Sequence, residues 1–339
     1  MTFPPEPAEV EIGDVPFESD YFPSHVPPKH STFFGVGTEA SNRPVLEERE
    51  HYLTTVHGFD TGGFEASVRC VDAQKMYEAA MRPRGARKPV KERSETDMLR
   101  SARRSKTNVR RAVKQIGCTH LLTMTTRENE NTPEALNEKL KKFARNYRRG
   151  TGDRFDYVAV PERHPSNPKH WHLHVAITGW LKLNLARQIW WSCCGGRGMG
   201  NLDVKHIKVP AHPSGAAQGP LVRAEKIARY ISKYMSKDLI FAHRPDKKRY
   251  WRSEFKLPEA RRMWLETRPP SDSCAVPEPG NLNAGSLSDA FTELRTRLGG
   301  FAVSRCSFFF FPDGTGFWFS YNPDASSGKY FGDEVAPPF

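Results

Sequence analysis

The sequence has few of the signals that mark a secreted or membrane protein. Its six cysteines include no C-x-x-C pair, and Cys193 and Cys194 are adjacent, which suits neither a disulfide framework nor a zinc ribbon. No run approaches the roughly 18 apolar residues that a membrane helix needs, and the first residues lack the basic and apolar regions of a signal peptide. We therefore expect reduced thiols and a cytoplasmic protein without membrane contact.

Acidic residues are too few to balance the basic ones. The chain has 51 Lys and Arg against 39 Asp and Glu, a net charge of +12. Most of the surplus lies between Arg82 and Lys114, where only Glu92, Glu95 and Asp97 are acidic. A basic surplus of this size indicates a polyanionic partner, most often nucleic acid.

Apolar residues are also sparse, and they are unevenly distributed. Hydrophobic residues make up 37% of the 339 residues, beside 27 prolines and 25 glycines, so parts of the chain are not expected to pack. We predict a Pro-rich, largely disordered and extended arm over 1–60 and a basic helical segment over 61–117. A compact domain is predicted over 118–240, followed by a linker and C-terminal accessory region over 241–339. The accessory region ends in a predicted β-hairpin at 304–321.

A helix in the basic segment is the first candidate for nucleic-acid contact. Ser94 to Asp97 form a capping-box sequence, and good helix formers continue to Lys114. Such a helix would contact duplex or hairpin DNA through phosphates rather than bases; the alternative is a solvated charge run. The candidate DNA-binding residues are Arg103, Arg104, Lys106, Arg110, Arg111, Lys114 and, from a later helix, Lys226.

The pattern of residues 118–240 predicts an α+β fold. Strands are predicted over 119–126, 155–162, 170–178 and 201–209, and helices over 133–148, 184–191 and 221–239. Thr132 and Asn184 are the predicted N-caps of the first two helices. This order is typical of a split βαβ (ferredoxin-like) antiparallel sheet with helices on one face. The other face would then stay open for a ligand.

The strand at 170–178 carries a candidate metal site. Strand alternation places His170, His172 and His174 on one face and Trp171 and other apolar residues on the opposite face. Glu162, at the end of the neighbouring predicted strand, could add an oxygen ligand, with His170 as the alternative. Two imidazoles and a carboxylate suit a divalent cation, Mg²⁺ or Mn²⁺, that polarises a phosphate. The competing interpretation is a solvent-facing strand that happens to carry histidines.

The last predicted helix carries a second candidate site. Lys226, Tyr230, Lys233, Tyr234 and Lys237 recur at helical spacing and form one stripe. The two tyrosines would lie one turn apart, about 5–6 Å. A phenol with a pKa near 10 needs cations to act as a nucleophile near neutral pH, and the lysines provide them. The alternative is a surface on which nucleic-acid bases stack.

Three short motifs occur in order within residues 118–240. They are Leu122-Thr123-Met124-Thr125, then His172-Leu173-His174 with Glu162 upstream, and the repeated Tyr-x-x-Lys of Tyr230-Ile231-Ser232-Lys233 and Tyr234-Met235-Ser236-Lys237. Together they resemble the motifs of the HUH endonucleases that initiate rolling-circle replication of phages and plasmids. The paired tyrosines are similar to the two-tyrosine type found in phage gene A proteins.

This resemblance implies a mechanism and a set of partners. It implies a replication initiator that nicks single-stranded or origin hairpin DNA by tyrosine attack, leaves a 5′-phosphotyrosine and a free 3′-hydroxyl, and later religates the strand. The implied catalytic residues are Tyr230, Tyr234, Lys233 and Lys237, and the implied metal ligands are His172, His174 and Glu162.

No G-x-x-x-x-G-K-[ST] loop is present, so ATP-driven unwinding is expected from a separate host helicase, and extension of the 3′-hydroxyl from a host DNA polymerase. The open alternatives are an HUH relaxase or transposase, and a non-catalytic module that binds single-stranded nucleic acid.

Overall fold

A computed structural model describes most of the chain between residues 51 and 325. The described residues are 51–72, 94–128, 131–164, 166–205, 207, 220–241, 248–266, 286–311 and 314–325. Residues 1–50 of the predicted arm lie outside them, as do residues 267–285 of the predicted linker and C-terminal accessory region. Among the described residues, no helix is long and apolar enough to cross a membrane.

The described elements confirm the α+β class. The strands are β1 (His51–Gly58), β2 (Phe64–Val71), β3 (His120–Thr126), β4 (Tyr157–His164), β5 (Asn167–Ile177), β6 (Gly200–Lys205), β7 (Trp251–Arg252), β8 (Arg261–Glu266), β9 (Cys306–Phe310) and β10 (Gly316–Tyr321). The α-helices are α1 (Glu95–Gln115), α2 (Pro133–Thr151), α3 (Leu183–Cys193), α4 (Pro220–Phe241) and α5 (Ser286–Arg297).

The chain divides into two compact units. A central unit takes its described residues from 59–61 and 94–258. A split unit takes its described residues from 51–58, 62–72 and 259–325.

The central unit contains the predicted ferredoxin-like arrangement. Its sheet has the strand order β6-β3-β5-β4-β7, and every pairing in it is antiparallel. The two strands on either side of α2 are therefore separated by β5, which is the split βαβ plan expected from the sequence. The two-residue strand β7 extends this sheet beyond β4.

Helices cover both faces of this sheet, whereas the sequence pattern predicted them on one face only. Leu173 and Val175 pack with α2 and α3 on the first face. Ala176 and Val158 pack with α1 and α4 on the second. The prediction missed this second layer because the apolar stripe of α1, centred on Val109, is narrow and is surrounded by basic residues.

Local capping explains where the first helices begin. The hydroxyl of Ser94 accepts a hydrogen bond from the Asp97 N–H, and the Asp97 carboxylate accepts one from the Ser94 N–H, so the predicted capping box is confirmed. Thr132 caps α2 by accepting a bond from the Ala135 N–H at 3.1 Å. The predicted cap Asn184 is wrong, because Asn184 lies inside α3, whose N-cap residue is Lys182.

The split unit is built from two hairpins that are far apart in the sequence. Its sheet has the order β8-β1-β2-β10-β9, all antiparallel. The predicted C-terminal hairpin is confirmed as β9 and β10. Phe291 of α5 covers its aromatic face and contacts Phe317 and Phe319. Residues 51–58 and 64–71, predicted as parts of an arm and of a helical segment, are strands instead.

Candidate metal and tyrosine site

Three buried side chains from two neighbouring strands converge on one point. Glu162 of β4 lies directly opposite His172 of β5 in the sheet register, and His174 follows His172 on the same face. The Nε2 atoms of His172 and His174 lie 2.7 and 2.8 Å from Oε2 of Glu162. The two Nε2 atoms are 3.2 Å apart. Strand alternation and antiparallel pairing therefore place the predicted ligands together.

The donor set fits a divalent cation. The ligand atoms of Glu162, His172 and His174 all lie within 4.8 Å of one another. Adjacent ligands of an octahedral ion with bonds of about 2.1 Å are about 3 Å apart, close to the separations of this triad. Two imidazoles and one carboxylate on a single face leave further coordination positions open.

The environment keeps Glu162 and His174 in their metal-binding protonation states. Burial raises the pKa of Glu162, but hydrogen bonds with His172 and His174 outweigh burial and lower the pKa to about 2. Burial lowers the pKa of His174. At neutral pH the carboxyl group is therefore ionised and the His174 ring is neutral, as coordination requires.

Two residues near the triad have different positions relative to it. The Thr123 hydroxyl, from the first sequence motif, lies 3.4 Å from Nδ1 of His174, where it can fix the ring orientation. His170, the alternative ligand, is not part of the cluster: its Nδ1 lies 2.8 Å from the Glu128 carbonyl oxygen. Its ring contacts His164 instead.

The two predicted tyrosines of α4 meet this triad. The Tyr234 ring stacks on the His174 imidazole, with centroids 3.7 Å apart and an angle of 13° between the planes. The Tyr234 hydroxyl donates a hydrogen bond of 2.5 Å to the Tyr230 hydroxyl. Helix α4 therefore holds both phenols beside the predicted metal ligands.

Lys205 of β6 is a site residue that was not predicted from the sequence. Its ammonium group donates a 2.6 Å hydrogen bond to the Tyr230 hydroxyl and lies 4.0 Å from the centroid of the same ring. A signal for it existed, because β6 alternates polar Asp203 and Lys205 with apolar Leu202 and Val204. That alternation assigns Lys205 to the histidine face of the sheet.

Lys205 makes the two phenols chemically different. Burial raises the pKa of Tyr230, but hydrogen bonds with Lys205 and Tyr234 and the charge of Lys205 outweigh it and lower the pKa. Burial, followed by the bond to Tyr230, raises the pKa of Tyr234. Tyr230 is therefore the first of the pair to become a phenolate.

The other predicted site residues are distributed around the central unit. On α4, Lys233 is exposed and Lys226 is partly buried, while the side chain of Lys237 lies outside the described part of the structure.

The seven predicted DNA contacts differ in exposure. Arg103 and Arg104 are exposed, Lys106, Arg111 and Lys226 are partly buried, and Arg110 and Lys114 are buried. Lys114 forms an ion pair of 2.7 Å with Glu225 of α4. Arg110 and Lys114 are thus packed inside the unit and do not form part of its phosphate-accessible surface.

One family matches the part of the chain that holds this site. Residues 119–239, about a third of the chain, match the model of the replication-associated protein ORF2 family. The match supports a replication initiator that interacts with DNA. No curated protein and no solved structure matches the chain.

Proposed function

We propose that the protein initiates rolling-circle replication by nicking one DNA strand at an origin through tyrosine attack, in the manner of a two-tyrosine HUH endonuclease. The stacking of Tyr234 on His174 is the observation that carries the proposal. It supports a single reaction centre, because the hydrogen-bonded hydroxyls of Tyr230 and Tyr234 lie beside a triad suited to a phosphate-polarising cation. The family match over residues 119–239 agrees with this role.

In the proposed reaction, one tyrosine oxygen attacks the scissile phosphorus. The phenol proton is lost to solvent, a new O–P bond forms, and the bond to the 3′-oxygen breaks. The 3′-oxygen takes up a proton and leaves as a hydroxyl group, and the 5′-phosphate remains on the tyrosine. One phosphodiester replaces another, so no ATP is consumed.

Tyr230 is the proposed first nucleophile. Its oxygen accepts hydrogen bonds from both Lys205 and Tyr234, and both bonds stabilise a phenolate. Tyr234 keeps its proton until Tyr230 forms the phosphotyrosine ester and loses its negative charge. It can then cleave the regenerated origin, after which the released 3′-hydroxyl attacks the first phosphotyrosine and closes the circle.

Glu162, His172 and His174 would hold the cation, Mg²⁺ or Mn²⁺. When bound, it supplies positive charge that polarises the scissile phosphate. His174 also presents its ring face to Tyr234, so the same residue orients the second phenol. A host DNA polymerase would extend the free 3′-hydroxyl, and a separate host helicase would open the duplex.

Those predicted DNA contacts that are exposed or partly buried are the proposed contacts to DNA phosphates. They are Arg103, Arg104, Lys106, Arg111 and Lys226. Each contact to a phosphate releases a condensed counterion, so affinity should fall steeply with salt.

Covalent capture of DNA tests the proposal. A labelled single-stranded origin oligonucleotide is incubated with protein and Mn²⁺, and adducts are separated on a denaturing gel. The double variant Tyr230→Phe, Tyr234→Phe should form no adduct while binding the oligonucleotide as before. Tyr147→Phe is the matched control, since Tyr147 is a buried tyrosine of the same unit whose hydroxyl accepts a bond from the Lys182 N–H.

The outcomes separate the two classes of function. An adduct that persists in the double variant contradicts tyrosine catalysis at this site. Binding without any adduct in the wild-type protein, with Mn²⁺ present, instead identifies a non-catalytic module that binds single-stranded nucleic acid.

A further inference from the structure

A cavity of the central unit, apart from the triad and the tyrosine pair, has the chemistry of a nucleotide-binding site. It has a volume of about 440 Å³ and is lined by residues of α1, α2, β4 and the segment that leads into β7. Cavities of roughly 300–1,000 Å³ accommodate small organic ligands. None of its lining residues belongs to the Glu162–His172–His174 triad or to the tyrosine pair.

Asn137 gives this cavity a polar group that requires a partner. The side chain is 5% exposed, and within the described part of the chain its buried amide oxygen accepts no hydrogen bond. An unsatisfied buried acceptor costs about 1–3 kcal/mol. Because this oxygen is shielded from solvent, the side chain would have to turn it toward the cavity to accept a hydrogen bond from a ligand N–H group. Such a bond would remove the cost, so Asn137 favours a hydrogen-bond donor.

Aromatic side chains form part of the cavity wall. Tyr157 of β4, Tyr250 and Trp251 line it together, and Tyr250 and Trp251 are only partly buried. Trp251 is anchored by its pairing with Ala159 in the sheet. Flat rings in a cationic cleft are the usual stacking partners of unpaired nucleic-acid bases.

Arg249 supplies a positive charge that the described structure does not neutralise. Among the described residues it has no ion-pair or hydrogen-bond partner, and burial lowers the pKa of its guanidinium group. Lys248 and Lys141 line the same cavity and add to the positive potential. A phosphate group would compensate a desolvated guanidinium with bidentate hydrogen bonds.

We propose that this cavity binds one unpaired nucleotide of a DNA strand, with its base against Trp251 and Tyr250, an amino group of the base donating to Asn137, and a phosphate on Arg249. The proposal rests on the proposed function only in taking the ligand to be the strand that is nicked. Tyr157 and Glu162 are five residues apart on β4, which is about 17 Å along an extended strand. Their odd separation places the two side chains on opposite faces of the sheet, so a strand that reaches both sites would pass around the β7 edge. A nucleotide held here would then belong to the sequence flanking the scissile phosphate and contribute to recognition of the origin.

Cytosine and thymine distinguish this proposal from general phosphate binding. Both are pyrimidines of similar size, but only cytosine carries an exocyclic amino group. Binding of labelled dC and dT hexanucleotides is measured by fluorescence anisotropy in EDTA, so that neither the cation nor the tyrosine chemistry contributes. The wild-type protein should bind the dC strand about five- to tenfold more tightly, the effect of one buried hydrogen bond.

Two variants and one control complete the experiment. Asn137→Leu keeps the number and branching of the side-chain heavy atoms, removes the orphaned amide and should abolish the preference for dC. Arg249→Gln should weaken binding of both strands about tenfold. Arg197→Gln, a change at an exposed arginine of the same unit, is the control and should change both affinities less than about twofold. Circular dichroism and thermal melting confirm that each variant is folded.

Some results would overturn the proposal. One is a preference for dC over dT that is unchanged in Asn137→Leu. The other is a loss of affinity in Arg249→Gln that is no larger than the loss in the control Arg197→Gln. Free dCMP that binds as tightly as the strand, with the same dependence on Asn137, would replace the strand with a mononucleotide as ligand. Covalent capture measured in parallel keeps the two proposals apart: selective binding without capture rejects only the nicking reaction, and capture without selectivity rejects only this cavity.

Discussion

At the residue scale, Lys205 makes one phenol of the pair more acidic than the other. Tyr230 and Tyr234 are equivalent in the sequence, since each begins a Tyr-x-x-Lys motif. Only the folded structure brings the Lys205 ammonium group to Tyr230, at 2.6 Å, and leaves Tyr234 against a neutral imidazole. The difference between the two proposed nucleophiles therefore comes from a neighbouring strand and not from α4.

Replacing Lys205 should move the pH dependence of nicking. Because Lys205 lowers the pKa of Tyr230, Lys205→Met should raise that pKa. The acidic limb of the pH–rate profile, where activity rises as the phenol ionises, should then shift to higher pH, and activity near neutrality should fall. Single-turnover nicking across a pH series measures the shift, with Lys142→Met on the exposed side of α2 as the control. Equal pH–rate profiles for Lys205→Met and Lys142→Met would show that Lys205 does not assist the nicking reaction.

Replacing Glu162 should weaken metal binding without unfolding the site. Glu162→Gln keeps the shape but removes the negative charge that both imidazoles contact. We expect at least a tenfold loss of Mn²⁺ affinity by calorimetric titration. Glu138→Gln, an exposed carboxylate of α2, should leave the affinity as it was. A Glu162→Gln protein that binds Mn²⁺ like the wild type would exclude this carboxylate as a ligand.

At the element scale, an ion pair connects the basic helix α1 to the tyrosine helix α4. The side chains of Lys114 and Glu225 are 4% and 14% exposed, and their charged atoms are 2.7 Å apart. The Lys114 ammonium group also lies over the Phe59 ring. A positive charge at this depth stabilises the interface only while its partner is present.

Lys114 should therefore affect stability rather than DNA affinity. Lys114→Met removes the ion pair between Lys114 and Glu225 and should cost about 3 kcal/mol in the free energy of unfolding. The slope of log affinity against log salt should not change. Arg103→Gln, at an exposed position of the same helix, should leave stability unchanged and reduce that slope by about one. A reduced slope in Lys114→Met would instead show that this lysine contacts a DNA phosphate.

The elements of residues 119–241 could be predicted closely from the sequence. Strand alternation around His172 and His174 and the helical spacing of Tyr230 and Tyr234 are local signals that specified both an element and a face. The cap at Thr132 specified where a helix begins. The candidate triad followed, because alternation and pairing of adjacent strands require only short-range information.

The parts that could not be predicted depend on long-range packing. Burial of Lys114 requires Glu225, and the second helix layer requires α1 to return to the sheet. The hairpin at 51–71 was missed although its strands β1 and β2 pair locally. The further pairing of β2 with Gly316–Tyr321 is a long-range contact, which no local pattern reveals. Lys205 was missed although its alternation was visible, because its role depends on contact with Tyr230.

At the scale of the whole molecule, the split unit depends on a close approach of backbones. Gly316 of β10 lies so near β2 that a Cβ atom there would come 2.1 Å from the Val68 carbonyl oxygen. No real Cβ contact is that short, so the strands must separate if the residue is changed. The same glycine thus joins segments of the chain from opposite ends of the described sequence.

Gly316→Ala should weaken both hairpins of the split unit together. Hydrogen exchange followed by mass spectrometry should show faster exchange in 64–71 and in 306–310, although neither segment carries the change. Gly299→Ala is the control: its φ of 78° is also unfavourable for alanine, but an added Cβ meets nothing within 4 Å. Faster exchange restricted to 316–321 would mean that the hairpins are held independently.

The pairing of β2 with β10 also sets an order of events during protein synthesis. Every described element of the central unit leaves the ribosome before Gly316–Tyr321 does, so the central unit can fold while translation continues. Until then β2 has β1 on one side and no strand on the other, and its exposed backbone is open to pairing with other nascent chains. Slow or interrupted translation of the last part of the message should therefore reduce the yield of native protein through aggregation of the first hairpin.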